Sequence, residues 1–140
     1  DICAMAADSI RPTLNEKQNI VLETEEDYTI ATDRRRLEQI VTNLLENAVK
    51  FSDHGTIRVA YKVDQERNIS ISDQGIGIPA AKQEVIFDRF VKLDNNVPGM
   101  GLGLYVTRLL TRLMGGEVHV DRGYKGGGAR FVVSLRAKSL

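Results

Sequence analysis

Three polar residues recur at helical spacing in one segment of the chain, Arg36–Ser52. Asn43, Asn47 and Lys50 stand at i, i+4 and i+7, so in a helix they form one polar row. Asparagine is a poor helix former, because its amide competes for nearby backbone groups. The residues beside the row form one continuous apolar stripe: Leu37, Ile40, Val41, Leu44, Leu45 and Ala48. The pattern predicts a core-facing helix that presents amide and ammonium groups to a ligand.

The segment Asp73–Pro79 (DQGIGIP) follows a predicted strand directly and contains the next candidates. Gly75 and Gly77 lack a Cβ atom, so a flat group can lie against their backbone, and both can adopt a positive φ. The carboxylate of Asp73 only accepts hydrogen bonds, which suits the exocyclic amine of a base such as adenine. A hairpin turn with a surface aspartate explains these residues equally well.

Three glycines in Gly99–Leu104 (GMGLGL) precede a predicted helix. Bare N–H groups at a helix N-terminus suit an anion such as phosphate, whereas the simpler explanation is close packing. The chain has neither a G-x-x-x-x-G-K-[ST] motif nor the βαβ context of a dinucleotide-binding fold. Nearby, Phe87 and Phe90 are spaced as core residues of a short helix, and Lys92 is either a solvated charge or a phosphate contact.

The remaining pattern predicts an α+β domain. Helices are predicted at Ile2–Lys17 with a break near Pro12, at Arg36–Ser52 with Asp33 as its cap, at Ala80–Phe87 and at Leu102–Met114. Strands are predicted at Asn19–Thr24, Tyr28–Thr32, Thr56–Val63, Asn68–Ser72, Glu117–Asp121 and Ala129–Leu135, the first two as a hairpin. Asp94–Gly101 is predicted to be a mobile loop. We therefore expect a two-layer sandwich of one mixed, mostly antiparallel sheet, with about three helices on one face.

Composition excludes several classes of protein. The chain has 140 residues, 42% of them hydrophobic, which fits one domain with a real core. Its 19 basic and 19 acidic residues balance, and no basic cluster is interleaved with aromatics, so nucleic-acid binding is not expected. The lone Cys3 excludes an internal disulfide and is predicted to be a small buried residue. No apolar run reaches a membrane span, and no signal peptide is visible. Because the chain begins without methionine, we expect a piece of a longer protein.

The order of these segments resembles a known ATP-binding superfamily, which gyrase-type topoisomerases, one class of heat-shock chaperones, mismatch-repair ATPases and histidine kinases share. Asn43–Lys50 is similar to its N box and Asp73–Gly77 to its first glycine box. Phe87–Phe90 is similar to the F box and Gly99–Leu104 to the second glycine box. The resemblance covers nearly the whole chain.

Within that superfamily the sequence resembles the catalytic domain of two-component sensor histidine kinases. The F box and the short lid, Val91–Pro98, are kinase features. Members that hydrolyse ATP in place carry a glutamate at position 43 as general base for water, whereas the amide of Asn43 accepts no proton at neutral pH. Glu46 is next to Asn47 but about 100° away around the helix. The resemblance implies a site that holds Mg-ATP and transfers its γ-phosphate to another nucleophile.

The resemblance also implies roles for individual residues. It assigns the nucleotide site to Asn43, Asn47, Lys50, Phe51, Asp73, Gly75, Gly77, Ile78, Lys92, Gly99, Gly101, Leu102, Gly103 and Leu104. Asn47 would bind Mg²⁺, and Asn43 would support the metal or the phosphates. Lys50 and Lys92 would contact the phosphates, as would the N–H groups of Gly101 and Gly103. Asp73 would accept the adenine amine, beside Phe51 in the place of a common tyrosine.

The implied phosphate acceptor is a histidine on a separate helical dimerisation domain. Neither His54 nor His119 has the expected H-E-x-x-P-like context, so this chain alone is predicted to bind ATP without phosphorylating itself. The implied partners are that domain in a homodimer and a downstream response regulator. The implied location is the cytoplasm, in a parent that an inner-membrane anchor would suit, without direct membrane contact. Three alternatives remain: a serine/threonine kinase of the anti-sigma-factor type, an ATP-driven clamp of the chaperone or repair type, and an inert pseudokinase.

Overall fold

A computed structural model describes residues 2–24, 33–63, 66–92 and 101–136. Its helices are α1 (Ile2–Ile10), α2 (Arg34–Lys50) and α3 (Gly103–Leu113), with single 3₁₀ turns at Arg11–Thr13, Ala80–Lys82 and Val85–Phe87. Its strands are β1 (Gln18–Thr24), β2 (Gly55–Val63), β3 (Glu66–Ser72), β4 (Glu117–Val120) and β5 (Arg130–Arg136). The α+β fold predicted from the sequence is confirmed, with helices and strands following one another along the described chain.

The described strands form one five-stranded sheet in the order β1-β2-β3-β5-β4. β1 runs parallel to β2, with Ile20 opposite Ile57, and the other three pairs are antiparallel. The neighbour of β1 within the described residues is therefore β2, while the predicted hairpin partner Tyr28–Thr32 lies outside them. The prediction of a mixed, mostly antiparallel sheet is confirmed.

Helices cover one face of this sheet. On β2, Ile57, Val59 and Tyr61 are at most 1% exposed, whereas Arg58 and Lys62, which each follow one of these residues, are exposed. This alternation is what one buried and one solvated face produce. α2 packs between α1 and α3 on the buried face, and its predicted apolar stripe is fully enclosed: Leu37, Ile40, Val41, Leu44, Leu45 and Ala48. Cys3 is buried in α1, as predicted.

Two predicted helices are wrong in extent. α1 ends at Ile10 and not at Lys17, because Pro12 has no N–H to continue an α-helix and the backbone is extended by Leu14. The helix predicted at Ala80–Phe87 is two separate 3₁₀ turns. The second turn ends at Asp88 in an extended conformation, after Phe87 has entered the core. The loop from Asp94 to Met100 lies outside the described residues.

Candidate nucleotide-binding site

α2 separates two faces as its sequence predicted. Its cap is Asp33, whose Oδ1 accepts a hydrogen bond from the Arg36 N–H at 3.1 Å. Beside the buried stripe, Asn43 and Asn47 are half-buried and Lys50 is exposed. The polar row therefore lies at the border between core and solvent, where a ligand can reach it.

The Asn43 amide connects this row to the glycine-rich segment before α3. Its Nδ2 donates to the Gly103 carbonyl at 3.5 Å, a long hydrogen bond, and its Oδ1 accepts from Gln39 Nε2 at 2.7 Å. The same Gly103 carbonyl accepts from the Thr107 hydroxyl at 2.8 Å. The middle of α2 and the first turn of α3 therefore meet, and Asn43 keeps a second lone pair on its amide oxygen.

The Asp73 loop attaches to the other end of the polar row. The Ile76 N–H donates to the Phe51 carbonyl at 3.2 Å, directly after α2 ends. A Cβ atom on Gly75 would overlap the same carbonyl oxygen, so this glycine allows the loop to pack on the helix end. Gly77 has a φ of +74°, and Gly75 has no positive φ. The two glycines therefore have different roles, although one role was predicted for both: Gly75 allows close packing on the end of α2, and Gly77 adopts a positive φ.

Asp73 is buried, with 4% of the residue exposed, so the interpretation of a surface aspartate is wrong. Its Oδ1 accepts hydrogen bonds from the N–H groups of Gly75 at 2.9 Å and Ala129 at 3.2 Å. Burial raises the pKa of this carboxyl above its ordinary value of 3.8, and the two N–H groups partly oppose that rise. Neither backbone hydrogen bond uses Oδ2.

The two described glycines before and within the first turn of α3 differ in what requires them. Gly101 has a φ of +71°, and a Cβ there would lie 2.8 Å from Phe90 C and Val91 O. Its carbonyl accepts the Phe90 N–H at 3.0 Å. Among the residues that the structure describes, none has an atom within 4 Å of a Cβ on Gly103, and none caps α3 with its side chain. Packing explains Gly101, whereas Gly103 borders space that is open to a ligand.

This contrast gives a testable pair of variants. Gly103→Ala is expected to leave thermal stability unchanged or higher, because alanine favours the helix and its Cβ meets none of the described residues. It is expected to weaken Mg-ATP binding about tenfold, or about 1.4 kcal/mol, because the methyl group obstructs approach to the backbone. Gly101→Ala is expected to lower the melting temperature. Thermal unfolding and titration calorimetry measure both effects, and unchanged ATP affinity in Gly103→Ala would contradict this assignment.

The two phenylalanines of the F box have different environments. Phe87 is 2% exposed and packs edge-on against Phe131, with 6.0 Å between ring centroids. Phe90 is 57% exposed and has a φ of +67°, with the Arg89 guanidinium 5.3 Å from its ring centroid. The simple interpretation as core residues is therefore confirmed for Phe87 and wrong for Phe90.

The remaining predicted site residues differ in how closely the structure joins them. Phe51 ends α2 and Ile78 packs against the core, both half-buried near the Asp73 loop. Leu102 precedes α3, and Leu104 is buried within it. Lys92 is half-buried at the end of the segment 66–92, where a phosphate contact stays a prediction. Gly99 lies outside the described residues.

The sequence analysis missed the residues that cover Asp73 from the loop between β4 and β5. A Cβ on Gly128 would overlap the Asp73 carbonyl and its Oδ1. The Tyr124 hydroxyl donates to the same carbonyl at 3.3 Å, and the Asp73 N–H donates to the Ala129 carbonyl at 2.9 Å. The signal in the sequence was the run of three glycines between the predicted strands Glu117–Asp121 and Ala129–Leu135.

Comparisons with known proteins give a consistent result. The sequence profile described as histidine kinase-, DNA gyrase B-, and HSP90-like ATPase matches residues 32–139. The chain is 37% identical over 137 residues to the autoinducer 2 sensor kinase/phosphatase LuxQ of Vibrio harveyi, across 89% of this chain and 16% of that protein. Full-length ShkA, solved in complex with AMPPNP, superposes with a TM-score of 0.84 at 31% identity, over 99% of this chain and 30% of that one.

A third similarity is to a protein of nearly the same extent. The ATP-binding domain of PrrB from Mycobacterium tuberculosis superposes with a TM-score of 0.81 at 25% identity, over 99% of this chain and 93% of that one. By contrast, the chain spans only 12% to 16% of the length of curated relatives that it matches, such as LuxQ of Vibrio vulnificus at 12% and LuxQ of Vibrio harveyi at 16%. Among the helices within residues 2–24, 33–63, 66–92 and 101–136, none is long and apolar enough to cross a membrane.

Proposed function

Because the chain belongs to the family of histidine kinase-, DNA gyrase B- and HSP90-like ATPases, we propose that it binds Mg-ATP and donates the γ-phosphate to a histidine. That histidine lies on a separate dimerisation domain of the same parent, so the chain is the catalytic and ATP-binding domain of a two-component sensor kinase. Similarity to the sensor kinase/phosphatase LuxQ and to full-length ShkA, solved in complex with AMPPNP, supports this proposal.

The observation that carries the proposal is that α2 contacts both glycine-containing segments. The Asp73 loop bonds to the Phe51 carbonyl, and the carbonyl of Gly103 accepts from Asn43. Eight residues separate Phe51 from Asn43, or about 12 Å of helix. The base can therefore be bound near Phe51 and the phosphates near Asn43. Asn47 and Lys50 lie between these two points on the polar row.

Asp73 recognises the base. Its Oδ2 would accept the 6-amino group of adenine, while Oδ1 is held by the N–H groups of Gly75 and Ala129. A 6-oxo group in the same place would bring two hydrogen-bond acceptors, its own oxygen and Oδ2, face to face. The buried carboxylate therefore selects ATP over GTP, with Phe51 and Ile78 as half-buried apolar neighbours of the base.

The polar row and the start of α3 hold the phosphates and the metal. Asn43 and Asn47 fit Mg²⁺, because both are half-buried oxygen donors one turn apart. When bound, Mg²⁺ neutralises charge on the phosphate oxygens. Asn47 would be its protein ligand and Asn43 would support it, while Lys50 and Lys92 would contact the phosphates. The uncapped N–H groups at the start of α3, with Gly101 and Gly103, would donate to phosphate oxygens.

The polar row suits transfer of phosphate better than hydrolysis. At the position where a hydrolase needs a general base, Asn43 has an amide that already accepts from Gln39. The neighbouring carboxylate, Glu46, is exposed and points about 100° away from Asn47 around the helix. Water near the γ-phosphate therefore has no base on this row, and a histidine nitrogen delivered by the partner domain becomes the nucleophile.

The acceptor histidine is proposed to come from outside this chain. His54 lies in an exposed bend and His119 is an exposed residue of β4. Neither is on a helix of the kind that carries the family's acceptor. We further propose that the parent forms a homodimer, passes phosphate to a response regulator and keeps this domain in the cytoplasm.

The isolated 140-residue chain is expected to bind Mg-ATP and to retain no covalent phosphate. The test incubates it with γ-labelled ATP alone and with the parent's histidine-bearing domain. Acid-labile, base-stable label on the added domain is the expected result. Label retained on the chain alone, or label on serine of a partner protein, would contradict the proposal, and the latter would indicate the anti-sigma type.

A further inference from the structure

The loop between β4 and β5 (residues 121–129, here the covering loop) lies directly on Asp73. The Tyr124 hydroxyl donates to the Asp73 carbonyl at 3.3 Å. Five residues later, the Ala129 N–H donates to Asp73 Oδ1 at 3.2 Å. The covering loop therefore touches both the backbone and the carboxylate of the residue proposed to recognise the base.

Several groups hold the Tyr124 side chain in this position. The Arg130 guanidinium lies 4.4 Å from the Tyr124 ring centroid, and Arg130 Nε donates to the buried Ser72 hydroxyl at 2.8 Å. Arg130 also pairs with Asp121 at 3.6 Å, and the Tyr124 N–H donates to the Asp121 carbonyl at 3.3 Å. Both the ring and the backbone of Tyr124 are thus held in place.

Gly126 makes room for the phenol. A Cβ on Gly126 would overlap the Tyr124 hydroxyl and the ring carbon that bears it. The sequence of the covering loop is therefore matched to this placement of the tyrosine, since any side chain at position 126 would displace the phenol from Asp73. By contrast, Lys125 between them is exposed.

We propose that Tyr124 is a positioning residue that sets the selectivity for a 6-amino purine nucleotide over a 6-oxo purine nucleotide. Its bond to the Asp73 carbonyl keeps the covering loop seated, and the seated loop keeps the Ala129 N–H on Oδ1. With Oδ1 occupied, Oδ2 faces the base in one orientation. This inference rests on the proposed function, in which Asp73 accepts the adenine amine.

The proposal separates selectivity from general affinity. The proposed phosphate and metal contacts are on α2 and at the start of α3, whereas the covering loop touches Asp73. Removing the Tyr124 hydroxyl therefore acts on the contact that distinguishes the two bases and leaves the phosphate contacts in place. A purely structural tyrosine would instead weaken both nucleotides equally.

The test measures the dissociation constants of Mg-ATP and Mg-GTP for the wild-type chain and for Tyr124→Phe by titration calorimetry. The ATP affinity is expected to fall about three- to tenfold with GTP unchanged, since one hydrogen bond is lost at a distance from the phosphates. Gly126→Ala, which displaces the phenol without removing it, is also expected to lower the ratio of the ATP affinity to the GTP affinity. Lys125→Ala is the matched control and should keep the wild-type ratio.

The outcomes distinguish the role of Tyr124 from the proposed base recognition by Asp73. An unchanged ATP:GTP ratio in both Tyr124→Phe and Gly126→Ala, or an equal loss for the two nucleotides, overturns the role of Tyr124. If the wild-type chain binds neither nucleotide or does not distinguish them, the proposed base recognition by Asp73 fails as well. If Asp73→Asn removes selectivity while Tyr124→Phe does not, the proposed function stands and only this inference fails. Melting temperatures identify a variant that has lost its fold, in which case the other variant decides.

Discussion

Asp73→Asn is expected to erase the preference for ATP over GTP while the domain stays folded. The asparagine oxygen can still accept from the N–H groups of Gly75 and Ala129, because those bonds use one oxygen only. The new NH₂ group then takes the place of Oδ2 and donates where an acceptor is needed. Losing that buried bond costs about 1–3 kcal/mol, or roughly a five- to 150-fold weaker ATP complex.

The measurement compares Mg-ATP and Mg-GTP binding to the wild type and Asp73→Asn. GTP should bind no worse to the variant, since the asparagine NH₂ can donate to a 6-oxo group. Asp8→Asn is the matched control, because it makes the same chemical change at an exposed carboxylate of α1. Equal ATP affinity in the wild type and Asp73→Asn would contradict the role of Asp73.

Asp73→Asn should also remove the pH dependence that this carboxyl gives to the stability of the domain and to ATP binding. Burial raises the pKa of Asp73, so the native state keeps its proton at pH values where the unfolded chain has lost it. The contribution of Asp73 to the free energy of unfolding of the ligand-free domain therefore falls as the pH rises from about 3.8 through the raised pKa, and is level above it. ATP binding needs the ionised form and should weaken as the pH falls through the same interval. Calorimetry in buffers of different ionisation heat should detect the proton released on binding, and Asp73→Asn should release none.

Asn47→Ala is expected to abolish the dependence of ATP affinity on Mg²⁺. In the wild type, adding Mg²⁺ should strengthen ATP binding, because the Asn47 oxygen gives the ion a protein ligand. In the variant, the dissociation constants with Mg²⁺ and with a chelator should become nearly equal. The expected loss for Mg-ATP is about tenfold or more, while adenosine, which carries no phosphate, should bind as before.

Two controls keep this result specific. Asn47→Asp restores an oxygen ligand and should recover most of the Mg²⁺ dependence. Glu46→Ala changes an exposed neighbour on another side of α2 and should have no effect. Folding is not at risk, because alanine favours a helix and Asn47 lies outside the buried stripe. An undiminished Mg²⁺ effect in Asn47→Ala would show that the metal is held elsewhere.

α2 could be predicted from the sequence almost completely, because the spacing of apolar and polar residues identifies the two faces of a helix. The stripe from Leu37 to Ala48 and the Asp33 cap are confirmed. The end of α1 could not be placed, although Pro12 was noted, because the prediction extended the apolar pattern beyond it. The spacing of apolar residues is therefore sufficient to predict a helix that follows one pattern throughout, as α2 does. It is insufficient to place a helix end where a residue such as Pro12 interrupts the pattern.

The chemistry of the loops depended on contacts that are distant in sequence. Whether Asp73 is a surface or a buried residue is decided by Ala129 and Gly128, more than fifty positions later. Likewise, Gly101 is required by Phe90 and Gly75 by the end of α2, whereas a Cβ on Gly103 would contact nothing in the described part of the chain. Sequence patterns identify such glycines, and only the fold says what each one faces.

The most direct test of the account is a crystal structure of this domain with a non-hydrolysable ATP analogue and Mn²⁺, whose anomalous signal marks the metal. The predicted result is the adenine amine within about 3 Å of Asp73 Oδ2 and the metal about 2.1 Å from the Asn47 oxygen. The phosphates should lie against the Gly103 backbone. A nucleotide whose base lies away from Asp73, or a metal without contact to the Asn43–Asn47 row, would contradict the assignment of α2 as the helix that joins the core to Mg-ATP.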